Sequence, residues 1–388
     1  MERSRPLRIL IVDDSAVMRS LLRSVVSADP LLDVVGTAAD GEAALNSIGA
    51  LRPDLILLDV EMPVMDGLAT LRELRRRGHK MPVIVCSALT QRGAQVTIEA
   101  LASGASDYVA KPSGQADREA AAKALGNDLR PKIHALARVS PAAQPVSNAR
   151  PFRGAAPLSP GFFQPPAALS RIQQMRNATS AAQPAVLAIG VSTGGPAALD
   201  ILLPQFPADF PLPVLVVQHM PELFTRLFAE RLNGHCPLRV SEAAAGDVVK
   251  PGTISIARGN WHMEVLAAAH ASSPPTLQLS QGPPENHCRP AVDVLFRSVA
   301  AVYGAGALAV VLTGMGSDGM LGCRVIRDRG GVVIAQDEAS STVWGMPGAV
   351  VQAGLAQKVL PLHDIGFEIL RLANRMHNEA RLLRESVS

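Results

Sequence analysis

From Leu7 to about Lys123, short apolar runs alternate with longer stretches in which apolar residues recur every three or four positions. LRILIVD, SAVMRSLLRSVVSA, DVVGTA, DGEAALNSIGAL and DLILLDV follow one another in this way. The short runs read as buried strands and the longer stretches as amphipathic helices, so the alternation predicts βαβ units and a parallel sheet. Between about Leu125 and Pro184 the rhythm fails: proline, alanine, serine and glutamine dominate, in pieces such as SPAAQPVSNARPF and LSPGFFQPPAAL. This composition predicts a linker, extended where prolines cluster; docking of Phe152, Phe162 and Phe163 on a neighbour is the less favoured alternative. From Ala185 a second alternation begins, with strand-like AVLAIG, PLPVLVVQH, GTISIA, GALAVVLTG and GVVIAQ separated by helical segments, and it predicts a second doubly wound α/β domain. The expected division is a first domain over 1–124, a linker over 125–184 and a second domain over 185–388. At about one domain per 150 residues, two domains suit a chain of 388.

Residues just past the carboxyl ends of parallel strands collect along one edge of the sheet. Asp13 and Asp14 close the first run, Asp59 the third and Ser87 the fourth, while Lys111 follows the fifth. Carboxylates crowded in this way repel one another unless a cation intervenes, and hard oxygen donors suit Mg²⁺. Asp59 would then be a nucleophile toward a phosphoryl group, with Lys111 and the metal balancing its charge and Ser87 bonding a phosphoryl oxygen. Singly, each acid reads better as an ordinary strand-end or helix-capping residue. The joint arrangement is what argues for a site.

In the second domain, Gly190-Val191-Ser192-Thr193-Gly194-Gly195-Pro196 follows an apolar strand and precedes a helical stretch. It fits G-x-S-x-G, in which glycines allow a sharp turn that exposes the serine, and Pro196 suits the first turn of a helix whose amides favour an oxyanion. A phosphate-binding turn or a plain helix cap would explain the same pattern. A dinucleotide site needs G-x-G-x-x-G and an acid after the next strand, whereas the chain has GVSTGG and Gln218. Of the nine histidines, His219 ends the strand after the serine and would bring a base to the same edge, although a lone histidine there reads first as a structural residue. Asp318, in LTGMGSDG after the most apolar strand, would orient that base, and the amides of this tight turn, that of Met315 included, would face an oxyanion. The order Ser, His, Asp differs from that of α/β-hydrolases, so that fold is not expected.

Composition narrows the class. Nearly half the residues are apolar and the net charge is only +3, which favours a soluble globular enzyme over a nucleic-acid-coating protein. The opening MERSRPLRILIVDD reaches its acidic pair before a secretory apolar core can form, and no apolar run approaches the roughly 18 residues of a membrane span. A cytoplasmic protein without membrane insertion is expected. Cys86, Cys236, Cys288 and Cys323 form no C-x-x-C pair and read as reduced packing residues.

VDDSAVMR, LLDVEMPVMDGL, CSA and AKP resemble the receiver domain of two-component response regulators over about the first 120 residues. The resemblance implies a flavodoxin-like, five-stranded parallel fold in which Asp59 is phosphorylated by a histidine kinase of the chemotaxis type. It implies Mg²⁺ on Asp14, Asp59 and the backbone carbonyl of Glu61, with Asp13, Ser87 and Lys111 in support. From Ala185 to Leu372, IGVSTGGP, VVQHMPELFTRLFAERLN, PGTISIARGNWHM, RPAVDVLFRSVA, LTGMGSDGMLG and WGMPGAV resemble the chemotaxis protein-glutamate methylesterases, the CheB family. This likeness implies a Rossmann-like hydrolytic domain that needs no cofactor, with Ser192, His219 and Asp318 as a triad, Thr193 helping to place the histidine and Met315 contributing to the oxyanion site. It implies hydrolysis of glutamate methyl esters on methyl-accepting chemoreceptors, with deamidation of receptor glutamines, under control of phosphorylation. Val191, Arg258, Cys288 and Ser317 depart from the family pattern, where alanine, proline, histidine and asparagine are usual. Two rivals remain: a response regulator with a DNA-binding output, which would need a helix-turn-helix and a basic face, and a non-catalytic regulator that occupies receptor or kinase.

Overall fold

The computed structural model describes residues 5–88, 90–112, 118–137, 184–268, 270 and 273–385. In the first domain β1 (Leu7–Val12), β2 (Leu32–Ala38), β3 (Leu55–Asp59), β4 (Val83–Ser87) and β5 (Asp107–Ala110) form one parallel sheet in the order β2-β1-β3-β4-β5. Helices α1 (Ala16–Ser27), α2 (Gly41–Leu51), α3 (Gly67–Arg76), α4 (Gln91–Ala102) and α5 (Arg118–Ala137) follow the strands in turn. Four of these helices start where the sequence supplies a side-chain cap: Ser15, Asp40, Asp66 and Thr90 each accept a hydrogen bond from an amide of the first turn. β3 and β4 are buried along their whole length, as strands covered on both faces must be.

Residues 125–137, expected to open the linker, are helical. Helix α5 continues to Ala137, with Leu125, Leu129, Ile133 and Leu136 buried in the core of the first domain. Those residues form an apolar stripe at helical spacing, and the rest of the linker expectation, with Phe152, Phe162 and Phe163, lies outside the described residues.

The second domain holds a seven-stranded parallel sheet. Its strands are β6 (Val186–Val191), β7 (Val214–Gln218), β8 (Arg239–Glu242), β9 (Thr253–Ile256), β12 (Ala307–Val311), β13 (Val332–Gln336) and β14 (Lys358–Leu360), in the order β14-β13-β12-β6-β7-β9-β8. An antiparallel pair, β10 (His262–Leu266) and β11 (Thr276–Ser280), stands apart from it. Helices α6 (Gly195–Leu202), α7 (Glu222–Asn233), α8 (Val292–Tyr303), α9 (Met320–Asp328), α10 (Met346–Gln352) and α11 (Leu362–Glu385) complete the domain. β6 is central, and after it the chain runs first toward β7 and later to β12 on its other side. The order therefore reverses at β6, the place where open parallel sheets bind ligands.

The two domains touch through apolar surface. Helix α4 packs on α6 and α7, and the Tyr108 ring stacks on Phe224 at 4.7 Å. Ala94, Ile98, Leu101 and Tyr108 belong to the same buried cluster as Leu199, Leu202, Phe224 and Phe228.

Candidate active site

The sheet brings Ser192, His219 and Asp318 to one rim. β6 pairs with β7 so that Val191 lies opposite Gln218, placing Ser192 and His219 one residue beyond adjacent strand ends. On the other side β6 pairs with β12, and the turn after β12 carries Asp318. At the serine turn Gly194 has φ of +77°, a left-handed conformation, and a Cβ there would meet Thr342 at 2.4 Å. The Ser192 carbonyl accepts from the Gly195 amide at 2.8 Å and from Gln218 Nε2 at 3.0 Å. Gln218 Nε2 also donates to the His219 carbonyl at 3.3 Å, so one buried amide ties the two turns together.

Asp318 is 2% exposed and fully engaged. Its Oδ2 lies 2.8 Å from His219 Nε2 and accepts from the Val292 amide at 2.6 Å. Its Oδ1 accepts at 3.0 Å from Asn286 Nδ2 and from the amides of Asp293 and Gly319. Val292 and Asp293 open α8, whose own N-cap, Ala291, offers no side-chain acceptor; Asp318 takes that place from across the fold. Burial works against the Asp318 charge, but His219 and these amides hold its carboxyl below the usual range. For His219 burial also disfavours the charged form, yet Asp318 and Cys288 push the imidazole up to about 9.

The expected serine–histidine bond is not formed. His219 bonds Asp318 through Nε2, and its Nδ1 faces Cys288 Sγ at 3.6 Å; among the described residues no hydrogen bond joins it to the Ser192 hydroxyl. Thr193, expected to help place the histidine, points elsewhere. Its hydroxyl donates to Asp107 Oδ2 of the first domain at 2.7 Å, both residues being buried, because β5 sits directly against the serine turn. Met315 is partly exposed, at 38%, and lines with Ser192 and His219 a cleft of about 930 Å³. The first domain supplies the opposite wall through Asp107, Tyr108, Asp128 and Lys132.

At the edge of the first sheet, Lys111 Nζ lies 2.8 Å from Asp13 Oδ2 and 2.7 Å from Asp59 Oδ2. Burial holds the Asp59 carboxyl above its usual range against the pull of Lys111. Lys111 stays above its own range because, although burial opposes its charge, Asp13 and Asp59 bond it. Asp13, Asp14 and Asp59 each bring an oxygen within 4.8 Å of the others, a hard donor set that fits Mg²⁺. The Glu61 amide donates to Asp59 Oδ1 at 3.4 Å, which puts the Glu61 backbone beside this cluster. Ser87 closes β4 as expected, but its hydroxyl donates to the Gly93 carbonyl of α4 at 3.0 Å and not toward Asp59. Ser87 thus ties the end of β4 to the helix that packs on the second domain.

Sequence reading missed Asp107, Gln218 and Asn286. Gln218 stood beside the base and was weighed only as a failed ribose ligand. Asp107 and Asn286 give no local signal, because their partners lie across the chain.

Comparison with known proteins matches residues 187–369 to the family described as CheB methylesterase and residues 9–123 to the response regulator receiver domain. A protein-glutamate methylesterase/protein-glutamine glutaminase of a Nocardioides species is 48% identical over 365 residues, covering 94% of this chain and 95% of that relative. The protein of the same description from Trichodesmium erythraeum is 45% identical over 364 residues, covering 94% and 98%. The crystal structure of the Thermotoga maritima CheB methylesterase catalytic domain shows 40% identity and a TM-score of 0.47, covering 49% of this chain and 98% of that one.

Proposed function

The chain belongs to the CheB methylesterase family, with a receiver domain ahead of the methylesterase region, and from that premise we propose that it is a phosphorylation-controlled hydrolase of receptor glutamate methyl esters. It also deamidates receptor glutamines, since the same acyl chemistry releases ammonia from an amide. We assign residues 5–137 to the receiver and 184–385 to the hydrolase. The protein works in the cytoplasm on methyl-accepting chemoreceptors and is phosphorylated by a chemotaxis-type histidine kinase. Among the described residues, no helix is long and apolar enough to cross a membrane.

The observation that carries the reading is the His219–Asp318 bond at the strand ends flanking Ser192. With Nε2 held by Asp318, Nδ1 is the nitrogen left to take the Ser192 proton, once the Cys288 contact gives way. Ser192 Oγ attacks the ester carbonyl, the proton passes by way of His219 to the departing methoxide, and water then releases glutamate. The amide of Met315 is the assigned oxyanion donor, and losing one such donor costs about 10² to 10³ in rate. Thr193 acts here as the point where the receiver grips the serine turn.

Asp59 is the phosphoacceptor, with Lys111 holding Oδ2 and Asp13 sharing that lysine. Asp14, Asp59 and the Glu61 carbonyl would hold Mg²⁺, which would supply charge neutralisation when bound. A phosphoryl group draws Ser87 from Gly93, and α4 loosens its packing on α6 and α7. The cleft then opens to receptor. Mass spectrometry of receptor peptides tests the activity: wild type removes the methyl groups and Ser192→Ala leaves them in place. Equal demethylation by both would end the proposal.

A further inference from the structure

The hydrolysis makes no use of Cys288, yet its thiol stands against the base. Sγ is half-buried on the wall of the cleft, 3.6 Å from His219 Nδ1, while the other ring nitrogen is bound to Asp318 at 2.8 Å. Metal-binding histidines have this form: one nitrogen faces the ion and the other is fixed by a carboxylate. The spacing agrees too. A tetrahedral Zn²⁺ with bonds of about 2.0–2.1 Å to nitrogen and about 2.3 Å to sulfur holds the two donors about 3.6 Å apart. One donor atom from each of His219, Cys288 and Asp318 lies within 4.8 Å of the others. Asp318 is already saturated by its partners, so it positions the imidazole and the two softer donors face the cleft.

We propose that His219 Nδ1 and Cys288 Sγ form an inhibitory site for a soft divalent cation, Zn²⁺ in particular. Binding displaces two protons to solvent, one from the Cys288 thiol and one from Nδ1 of the charged imidazole, and forms a Zn–S bond and a Zn–N bond in their place. Water completes the shell. The nitrogen that must accept the Ser192 proton is then occupied, so hydrolysis stops whatever the state of Asp59. Mg²⁺ does not compete, because it prefers the oxygen donors of the receiver. Inhibition rests on the hydrolase reading above; metal binding does not.

Co²⁺ gives a readout independent of activity. Titrated into the full chain, it should produce a thiolate-to-metal absorption band in wild type, in Ser192→Ala and in Cys236→Ser, the last replacing the other half-buried thiol. Cys288→Ser should abolish the band, and Zn²⁺ should displace it. In parallel, micromolar Zn²⁺ should stop methanol release from methylated receptor, and EDTA should restore it. In Cys288→Ser the half-inhibiting Zn²⁺ concentration, judged against that variant's own metal-free rate, should rise at least about tenfold. Absence of the band, or its survival in Cys288→Ser, overturns the site; a band with undiminished methanol release overturns the inhibition. If metal-free wild type releases no methanol at all, the hydrolase reading fails while the band still reports on the site.

Discussion

His219 is pulled upward by its neighbours, and this sets the pH behaviour of the site. Burial disfavours the charged ring, but Asp318 and Cys288 bring it to about 9. A protonated imidazole cannot accept the Ser192 proton, so activity is lost as pH falls through that value. In buffer containing EDTA, the acid limb of kcat/KM should therefore lie above the usual histidine value of about 6.5. Cys288→Ala should move the limb down, and an unmoved limb would show that the thiol does not tune the base. Asp318→Asn should lower kcat by about 10⁴-fold, because the amide no longer holds the ring in its working tautomer. A drop of less than tenfold in correctly folded enzyme would remove Asp318 from the triad. That Ser192, His219 and Asp318 meet at one rim was legible in the sequence because strand ends are legible. The Cys288 contact was not, since a thiol in a loop gives no hint of the imidazole it will meet 69 positions away along the chain.

In the proposed control, the contact between β5 and the turn before α6 is the element that keeps the cleft closed. Asp107 at the start of β5 accepts the Thr193 hydroxyl beside Ser192, and Tyr108 next to it stacks on Phe224 of α7. A buried hydrogen bond to a charged group contributes about 1.5–3 kcal/mol, enough to hold a large share of molecules closed. Asp107→Ala should raise methanol release in the absence of a phosphodonor by roughly tenfold or more. An unchanged basal rate would mean that the closed state is held by apolar packing alone. The strands that build this contact were readable because each is an apolar run between helical stretches. β8, β14 and the β10–β11 pair were missed: β8 and β14 are short and partly exposed, and the β10–β11 pair mixes polar and apolar positions. The full length of α5 was hidden in turn by the alanine-rich sequence around its apolar stripe.

Across the whole molecule, two sheets share one task. The acidic edge of the first lies far from the cleft in sequence; in the proposed control Ser87, at the end of β4, passes the change to α4, which packs on α6 and α7. Each domain could be read from its own periodicity, and the receiver covering the serine edge near Tyr108 was expected; the particular partners, Phe224 for Tyr108 and Asp107 for Thr193, could not be read, because they lie far apart along the chain. Removing Mg²⁺ should abolish stimulation by a phosphodonor and leave basal hydrolysis in place, as judged by methanol release before and after chelation. Loss of basal hydrolysis on chelation would instead place a metal in the catalytic step. The most direct test of the account is the rate of methanol release from methylated receptor with and without a small phosphodonor, in wild type and in Asp59→Asn. The account predicts stimulation in wild type and none in Asp59→Asn; equal stimulation in both would contradict it.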